Sequence, residues 1–425
     1  MEKQKTLGEF ITSVSGVDGS YPFISYGKNV LSYSEVLKMS LSMADSIKKR
    51  FPAKRGDRVL VILPLSAHMY ITYFSLWLLG MIPVPLSIEL PPEAIVELLK
   101  NGNIRGVVSF GDVYDSIDQE IKSGKFHISA GVNDFLSNST KPPEEVRIHA
   151  TSRKRKFAME EMCYDGSYIE PDMDPFTDMG IGGIAWNKDG SFVITDYTIN
   201  SILDSLGRMV ELLPDRRNLP FFQAYDPVSP AEVLLSILYP AFRGHNCIPA
   251  RIGNELEKMM KFYCRTDPAV FNIRTYSSYI WELIGKSYGE KISHMIETWH
   301  SPDGYEKIPE IRRSSIFTML CVDRDVSPQY MLQRRKGSRS IPASENIRPE
   351  NIPGDTVQTD VVEIDGIVEY LGKTIPLDLI QNHFRKRKKL RNIQFEVKDG
   401  KISTKNADLS DFRDELPSWI RSAFI

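Results

Sequence analysis

From Tyr21 to Phe110 the apolar positions change period repeatedly. Tyr21 to Tyr26 and Asn29 to Leu31 flank Gly27-Lys28 and predict a hairpin. Between Ser34 and Arg50, Val36, Leu37, Met39, Leu41, Met43, Ala44 and Ile47 recur at helical spacing, so a helix is expected. Arg55-Gly56-Asp57 reads as a turn, and Arg58 to Leu63 as a buried strand. A second helix is expected over Ser66 to Leu79, a second strand over Ile82 to Leu86, a third helix over Pro92 to Lys100 and a third strand over Gly106 to Phe110. Strands that alternate with helices predict a parallel sheet joined by right-handed crossovers.

Later segments repeat the change of period. A strand ends near Trp186, Asn187-Lys188-Asp189-Gly190 form a turn, Phe192 to Thr195 form a strand and a helix starts near Thr198. From Asp355 to Lys373, Val357, Val361, Ile364, Ile367, Val368 and Leu371 predict two short strands. Asp365-Gly366 supplies the turn of an antiparallel hairpin, and Gly372 stops the second strand. Beyond it a helix is expected over Leu377 to Phe384, then a basic loop over Arg385 to Arg391. A hairpin turning at Asp399-Gly400 and a helix over Leu409 to Trp419 follow.

Composition narrows the class. A chain of 425 residues suggests two or three structural units with ample length for a core. A net charge of -2 gives no electrostatic reason to expect nucleic acid or an anionic membrane as partner. Cys163, Cys247, Cys264 and Cys321 lack zinc-type spacing and read as reduced thiols. The apolar run from Met69 to Leu90 contains Pro83 and Pro85 and reads as helix then strand rather than a membrane span. The amino terminus lacks the apolar core of a signal peptide, so a cytoplasmic protein is expected. The basic run Arg153 to Lys156 reads as a solvated loop, and the carboxylates between Glu160 and Met179 follow no metal-binding motif.

Three ordered segments resemble the start of the adenylate-forming (AMP-binding) superfamily, which includes acyl-CoA synthetases, luciferase and adenylation domains of nonribosomal peptide synthetases. Leu31 to Leu37 (LSYSEVL) is similar to its L-T-Y-x-E-L, and Gly56 to Pro64 (GDRVLVILP) to its G-D-x-V-A-I-x-L-P. Leu76 to Leu86 (LWLLGMIPVPL) is similar to L-A-x-x-x-A-G-A-x-x-V-P-L. Thr359-Asp360, Asp365-Gly366 and Gly372-Lys373 resemble the ribose-binding strand, hairpin and hinge, with lysine in place of the family's arginine. The resemblance implies a large multi-subdomain N-terminal α/β body over residues 1–371 and a reduced C-terminal α+β lid over residues 372–425. Pro376, just beyond the hinge, predicts one fixed lid orientation.

The same resemblance marks candidate site residues. Asp360 and Lys373 are expected at the nucleotide, joined by Lys188 and Ser191 from the turn that stands where the family has its phosphate loop. That turn, N-K-D-G-S, is too short to wrap three phosphates with backbone N–H groups, and Asp189 would repel them. Tyr225 and Asp226 stand at the substrate pocket, where related peptide synthetases pair an aspartate with an α-ammonium. Asp226 also reads as a helix N-cap with Pro227 in the first turn. From Gly285 to Lys336 the resemblance lapses, with no counterpart to the family's magnesium-holding glutamate. His294 and His300 there read as surface residues. The catalytic lysine of the family's P-x-T-x-x-G-K is not reached before Ile425.

These departures lead to the expectation of a degenerate relative without ordinary adenylation activity, binding a nucleotide, an acyl adenylate or a partner. Two alternatives stand beside it: an active acyl- or amino-acid-activating ligase with atypical motifs, and a structural subunit of an active relative or carrier protein. The cofactor implied is ATP or AMP with magnesium.

Overall fold

The computed structural model describes residues 6–17, 19–26, 29–88, 90, 92–110, 117, 125–130, 173–186, 192–213, 217–249, 261–263 and 268–274. It also describes the strands 292–300, 318–323, 329–333, 359–362, 367–370, 373–376, 395–398 and 401–404. The helices Leu377 to Phe384 and Leu409 to Trp419 expected from sequence lie outside these residues.

The chain opens with helix α1 (Leu7–Val17), which the sequence patterning did not single out. A hairpin of β1 (Pro22–Tyr26) and β2 (Asn29–Ser32) leads into α2 (Tyr33–Arg50). The start of α2 is fixed by a capping box. The Ser32 hydroxyl accepts from the Glu35 N–H at 3.3 Å, and the Glu35 carboxylate accepts from the Ser32 N–H at 2.8 Å. Next come β3 (Arg58–Ile62), α3 (Ala67–Leu78), β4 (Ile82–Pro85), α4 (Pro92–Asn101), β5 (Ile104–Phe110) and β6 (Phe126–Ala130). Strands β3 to β6 form a four-stranded parallel sheet in the order β4-β3-β5-β6. This is the alternating arrangement that the changing period implied.

Strand β7 (Met179–Trp186) pairs antiparallel with β8 (Phe192–Thr198), and α5 (Ile199–Leu212) follows with Thr198 as its N-cap. After β9 (Pro220–Gln223), α6 (Pro230–Val233), a π-helical turn (Leu234–Leu238) and α7 (Tyr239–Arg243) form one continuous helical run. It leads to β10 (Asn246–Pro249) and β11 (Ala269–Arg274). Strands β12 (Ile292–His300), β13 (Thr318–Asp323) and β14 (Gln329–Gln333) come from the stretch where the sequence resemblance lapses. They extend an eight-stranded sheet of order β14-β13-β12-β11-β9-β10-β1-β2, parallel from β1 through β13 and antiparallel at both edges.

The core lies around α3, whose residues His68 to Leu78 are all buried. Tyr70, Tyr73 and Trp77 are among its largest side chains, and the Trp77 indole N–H donates to the Gly180 carbonyl at 2.6 Å. Phe23 stacks at 5.8 Å on Phe74 and meets Tyr70 edge-on at 5.2 Å, tying the larger sheet to this helix. Apolar surface removed from water on both faces of α3 leaves no part of it for a membrane. Among the described residues no helix is long and apolar enough to cross one.

Two strands near the carboxyl end pair differently from the sequence expectation. Strand β15 (Thr359–Val362) does not form a hairpin across Asp365-Gly366 with β16 (Ile367–Tyr370); it pairs antiparallel with β8. Strand β16 instead pairs with β17 (Lys373–Pro376), placing Tyr370 opposite Lys373. A tight-turn signal specifies a reversal of direction, but the pairing went to the strands available in the tertiary structure. The last pair, β18 (Phe395–Lys398) with β19 (Lys401–Thr404), is antiparallel and flanks Asp399-Gly400, in keeping with the hairpin expected there.

Candidate functional site

In open parallel sheets ligands bind beyond the carboxyl ends of the strands. The carboxyl end of β9 runs straight into Tyr225 and Asp226, and the carboxyl end of β3 runs into Leu65. One hydrogen bond joins these two loops: Asp226 Oδ1 accepts from the Leu65 N–H at 2.6 Å. The carboxylate therefore ties the site edge of the eight-stranded sheet to that of the four-stranded sheet.

Asp226 does not cap a helix. Ser229 is the N-cap of α6, its hydroxyl accepting from the Glu232 N–H at 3.2 Å, with Pro230 in the first turn. Glu232 Oε2 accepts from the Val228 N–H at 2.7 Å. Two X-Pro pairs lie three residues apart, and the serine with a glutamate three residues on matches the capping pattern better than Asp226-Pro227 does.

Tyr225 is held by buried amides. Its hydroxyl donates to Asn272 Oδ1 at 2.8 Å, and the Gln223 side chain donates from Nε2 to its carbonyl at 3.4 Å. Gln223 and Asn272 are wholly buried, on adjacent parallel strands β9 and β11. The sequence reading passed over both, although each is a lone carboxamide in an apolar run (PFFQ and AVFNIR), and a buried amide needs partners. The Tyr70 hydroxyl donates to Gln223 Oε1 at 2.8 Å. Burial pushes its ionisation well above that of an ordinary phenol, so it remains a neutral donor.

The residues expected at a nucleotide fall on or near the three-stranded sheet β15-β8-β7 and the pair β16-β17. Trp186 and Phe192 are Cα partners across β7 and β8, leaving five residues, 187–191, to join the strands. Lys188 and Ser191 belong to that join and lie outside the described residues. Asp360, on β15, stands in register with Ile194 on β8, and so shares a sheet with the strand that emerges from the join. Lys373 opens β17, opposite Tyr370, in a separate two-stranded sheet.

Strand β8 is anchored from behind by a buried ion pair. Arg58 Nη2 and Nε lie 2.8 and 2.9 Å from Asp196 Oδ2, and both side chains are almost wholly buried. Arg58 Nη1 also donates to the Gly102 carbonyl at 3.3 Å. Gly182, the β7 residue opposite Asp196, leaves the necessary space: a Cβ there would stand 2.7 Å from Asp196 Oδ1. No group of three His, Cys, Asp or Glu side chains able to hold a metal ion occurs among the described residues.

The AMP-binding enzyme family model matches residues 15–165. No curated protein sequence matches the chain. Among solved structures, the complex of VinN with L-aspartate is similar, at 10% identity and a TM-score of 0.56, over 75% of this chain and 76% of that one. The N-terminal subdomain of Klebsiella oxytoca NpsA with 3-hydroxybenzoyl-AMSN is similar at 12% identity and a TM-score of 0.56, over 78% and 76%. The protein thus shares the fold of VinN and of the NpsA N-terminal subdomain, with the AMP-binding enzyme family's sequence pattern across residues 15–165.

Proposed function

We propose that this chain is a degenerate adenylate-forming-type protein of the cytoplasm that binds an acyl or aminoacyl adenylate but does not make one. The observation that carries the reading is the five-residue join between Trp186 and Phe192. A join of five residues offers few backbone N–H groups to a triphosphate, whereas one phosphate of an adenylate needs fewer. Each charged or hydrogen-bonding group missing from a phosphoryl-stabilising site costs roughly 3 kcal/mol in the transition state. Retention of the fold favours a kept pocket: the related NpsA subdomain was solved with 3-hydroxybenzoyl-AMSN and VinN with L-aspartate. In this reading Tyr225 and Asp226 meet the acyl or aminoacyl part, Asp360 the ribose, and Lys188, Ser191 and Lys373 the phosphate.

Calorimetric titration with 3-hydroxybenzoyl-AMSN, with L-aspartate and with Mg-ATP tests the proposal. Expected are heat with the acyl-AMP analogue or L-aspartate, loss of the analogue's heat in Asp360→Ala, and no pyrophosphate release from Mg-ATP. Silence with all three ligands would overturn it and turn attention to a carrier protein or an active relative as partner.

The second reading is an active ligase with atypical motifs. The pairing of β15 with β8 favours it, because it brings Asp360 onto the sheet that carries the Lys188–Ser191 join. Mg-ATP-dependent pyrophosphate release that stops in both Lys188→Ala and Asp360→Ala would establish that reading instead.

A further inference from the structure

The polar contacts behind Tyr225 form a closed ring. The Tyr225 hydroxyl donates to Asn272 Oδ1 at 2.8 Å, and Asn272 Nδ2 donates to Ser236 Oγ at 3.1 Å. The Ser236 carbonyl accepts from the Tyr70 hydroxyl at 3.2 Å, whose proton is shared with Gln223 Oε1 at 2.8 Å. Gln223 Nε2 returns to the Tyr225 carbonyl at 3.4 Å. Tyr70, Gln223, Ser236 and Asn272 are 0% exposed and Tyr225 is 8% exposed.

Four segments of the fold meet in this ring: α3, the end of β9 with its loop, the π-helical turn and β11. Serine at 236 sits inside the π turn, a distortion that proteins keep mainly at functional sites. A second bond from the same strand, Ala224 N–H to the Asn272 carbonyl at 3.1 Å, fixes the backbone just ahead of Tyr225. Packing alone does not require so many buried polar groups; apolar side chains of equal volume would fill the space without the desolvation cost. What the ring adds is a single orientation for Tyr225 and, through the next residue, for the carboxylate of Asp226.

We propose that Asn272 is a positioning residue that acts through Tyr225 to shape the acyl side of the ligand pocket. This rests on the reading above that Tyr225 and Asp226 meet the acyl or aminoacyl group. With its hydroxyl turned inward to Asn272, Tyr225 offers carbon rather than a donor to a ligand. The pocket wall it forms therefore selects an acyl group by shape.

Asn272→Ala and Tyr225→Phe each remove one side of the key hydrogen bond. Both are expected to bind 3-hydroxybenzoyl-AMSN about tenfold more weakly and AMP unchanged, the scale of one lost buried hydrogen bond. The double variant should also be about tenfold weaker, because residues that act through one another are non-additive. Equal weakening toward AMP and the analogue, or a double variant weakened about a hundredfold, would overturn the proposal. Native-state hydrogen exchange supplies a reading that needs no ligand. Amides of Ala224, Tyr225 and Asp226 should exchange at least about tenfold faster in both variants, with β3 and β5 unchanged. If the wild-type protein binds neither probe, the adenylate reading fails on its own, while unchanged exchange at these amides would separately sink the positioning role. Should Asn272→Ala not fold, Tyr225→Phe, which removes only an oxygen, decides both arms.

Discussion

Replacing Asp196 by asparagine should be among the most damaging single changes near the site. The carboxylate is 0% exposed, and Arg58, 2% exposed, approaches one of its oxygens through two nitrogens at 2.8 and 2.9 Å. At a charge separation of about 3.5 Å and an effective dielectric constant of about 20, the gross attraction is roughly 5 kcal/mol. Desolvation of the two ions costs several kcal/mol each, so the intact pair contributes little net stability. Its removal on one side is a different matter. A neutral amide in place of the carboxylate would leave the Arg58 guanidinium charged and out of water, and breaking a buried pair this way costs about 3–5 kcal/mol. Against a typical total of about 5–15 kcal/mol, that is a large share. Urea unfolding followed by tryptophan fluorescence measures it, with Arg58→Met/Asp196→Leu as the companion. The double variant should recover most of the loss, since apolar residues of similar volume need no partner. A loss below about 1 kcal/mol in Asp196→Asn would refute the reasoning, because water or a neighbouring group would then be screening Arg58.

The same anchor predicts that Gly182→Ala is destabilising: a Cβ there would stand 2.7 Å from Asp196 Oδ1 and 2.8 Å from Val84 Cγ2, and a lower urea midpoint checks it. Ser32→Ala should cost about 1 kcal/mol through loss of the α2 cap, read from the same unfolding curves. The Ser32 N–H bond, followed by the Ser32 hydroxyl, holds the Glu35 carboxyl below its usual range. A depressed carboxyl stabilises above its unfolded pKa, about 4.3, so the gap between wild type and Glu35→Ala should be full near about pH 6 and shrink as pH falls below about 4. Burial pushes the Cys247 thiol up to about 12, so peptide-level mass spectrometry should find it unalkylated by iodoacetamide at about pH 8 until the protein is unfolded. Native labelling at the unfolded rate would contradict that burial.

The stretch from Tyr21 to Phe110 was legible because its apolar spacing and its tertiary environment agree. Val36, Met43, Ala44 and Ile47 of the expected stripe are buried on α2, with Leu37, Met39 and Leu41 half-buried, and the continuous apolar run after Arg58 is a strand covered on both sides. Arg58 itself, at the head of that run, gave no sign of its partner, since an ion pair across 138 positions has no local signature. Strands β12 and β13 were missed for a related reason. Their strand character lies in pairing with β11 and with each other, which no local motif carries. The Asp365-Gly366 turn signal says nothing about partners, and the strands on either side of it pair elsewhere. Pairing of β15 with β8 depends on a strand far back in the chain, with Asp360 set against Ile194.

Asp226 shows how a carboxylate read from its own loop can have its structural partner elsewhere: the helix-cap role goes to Ser229. Both expected roles, helix cap and ammonium partner, treat the carboxylate as belonging to its own loop. The hydrogen bond to Leu65 makes it a strut between the carboxyl ends of two parallel sheets. A strut at that place is also at the mouth of the crevice where such folds bind ligands. On the reading proposed above, a ligand in that crevice would be coupled to the spacing of the two sheets through Asp226. Behind it, the ring through Asn272 fixes the adjacent Tyr225 from the interior. Trp186 and Phe192, paired across β7 and β8, leave five residues for the join that stands where the resemblance expects a phosphate loop. On the reading proposed above, a Tyr225 held from the interior beside a five-residue join is the arrangement of a protein that holds a finished adenylate more readily than it builds one.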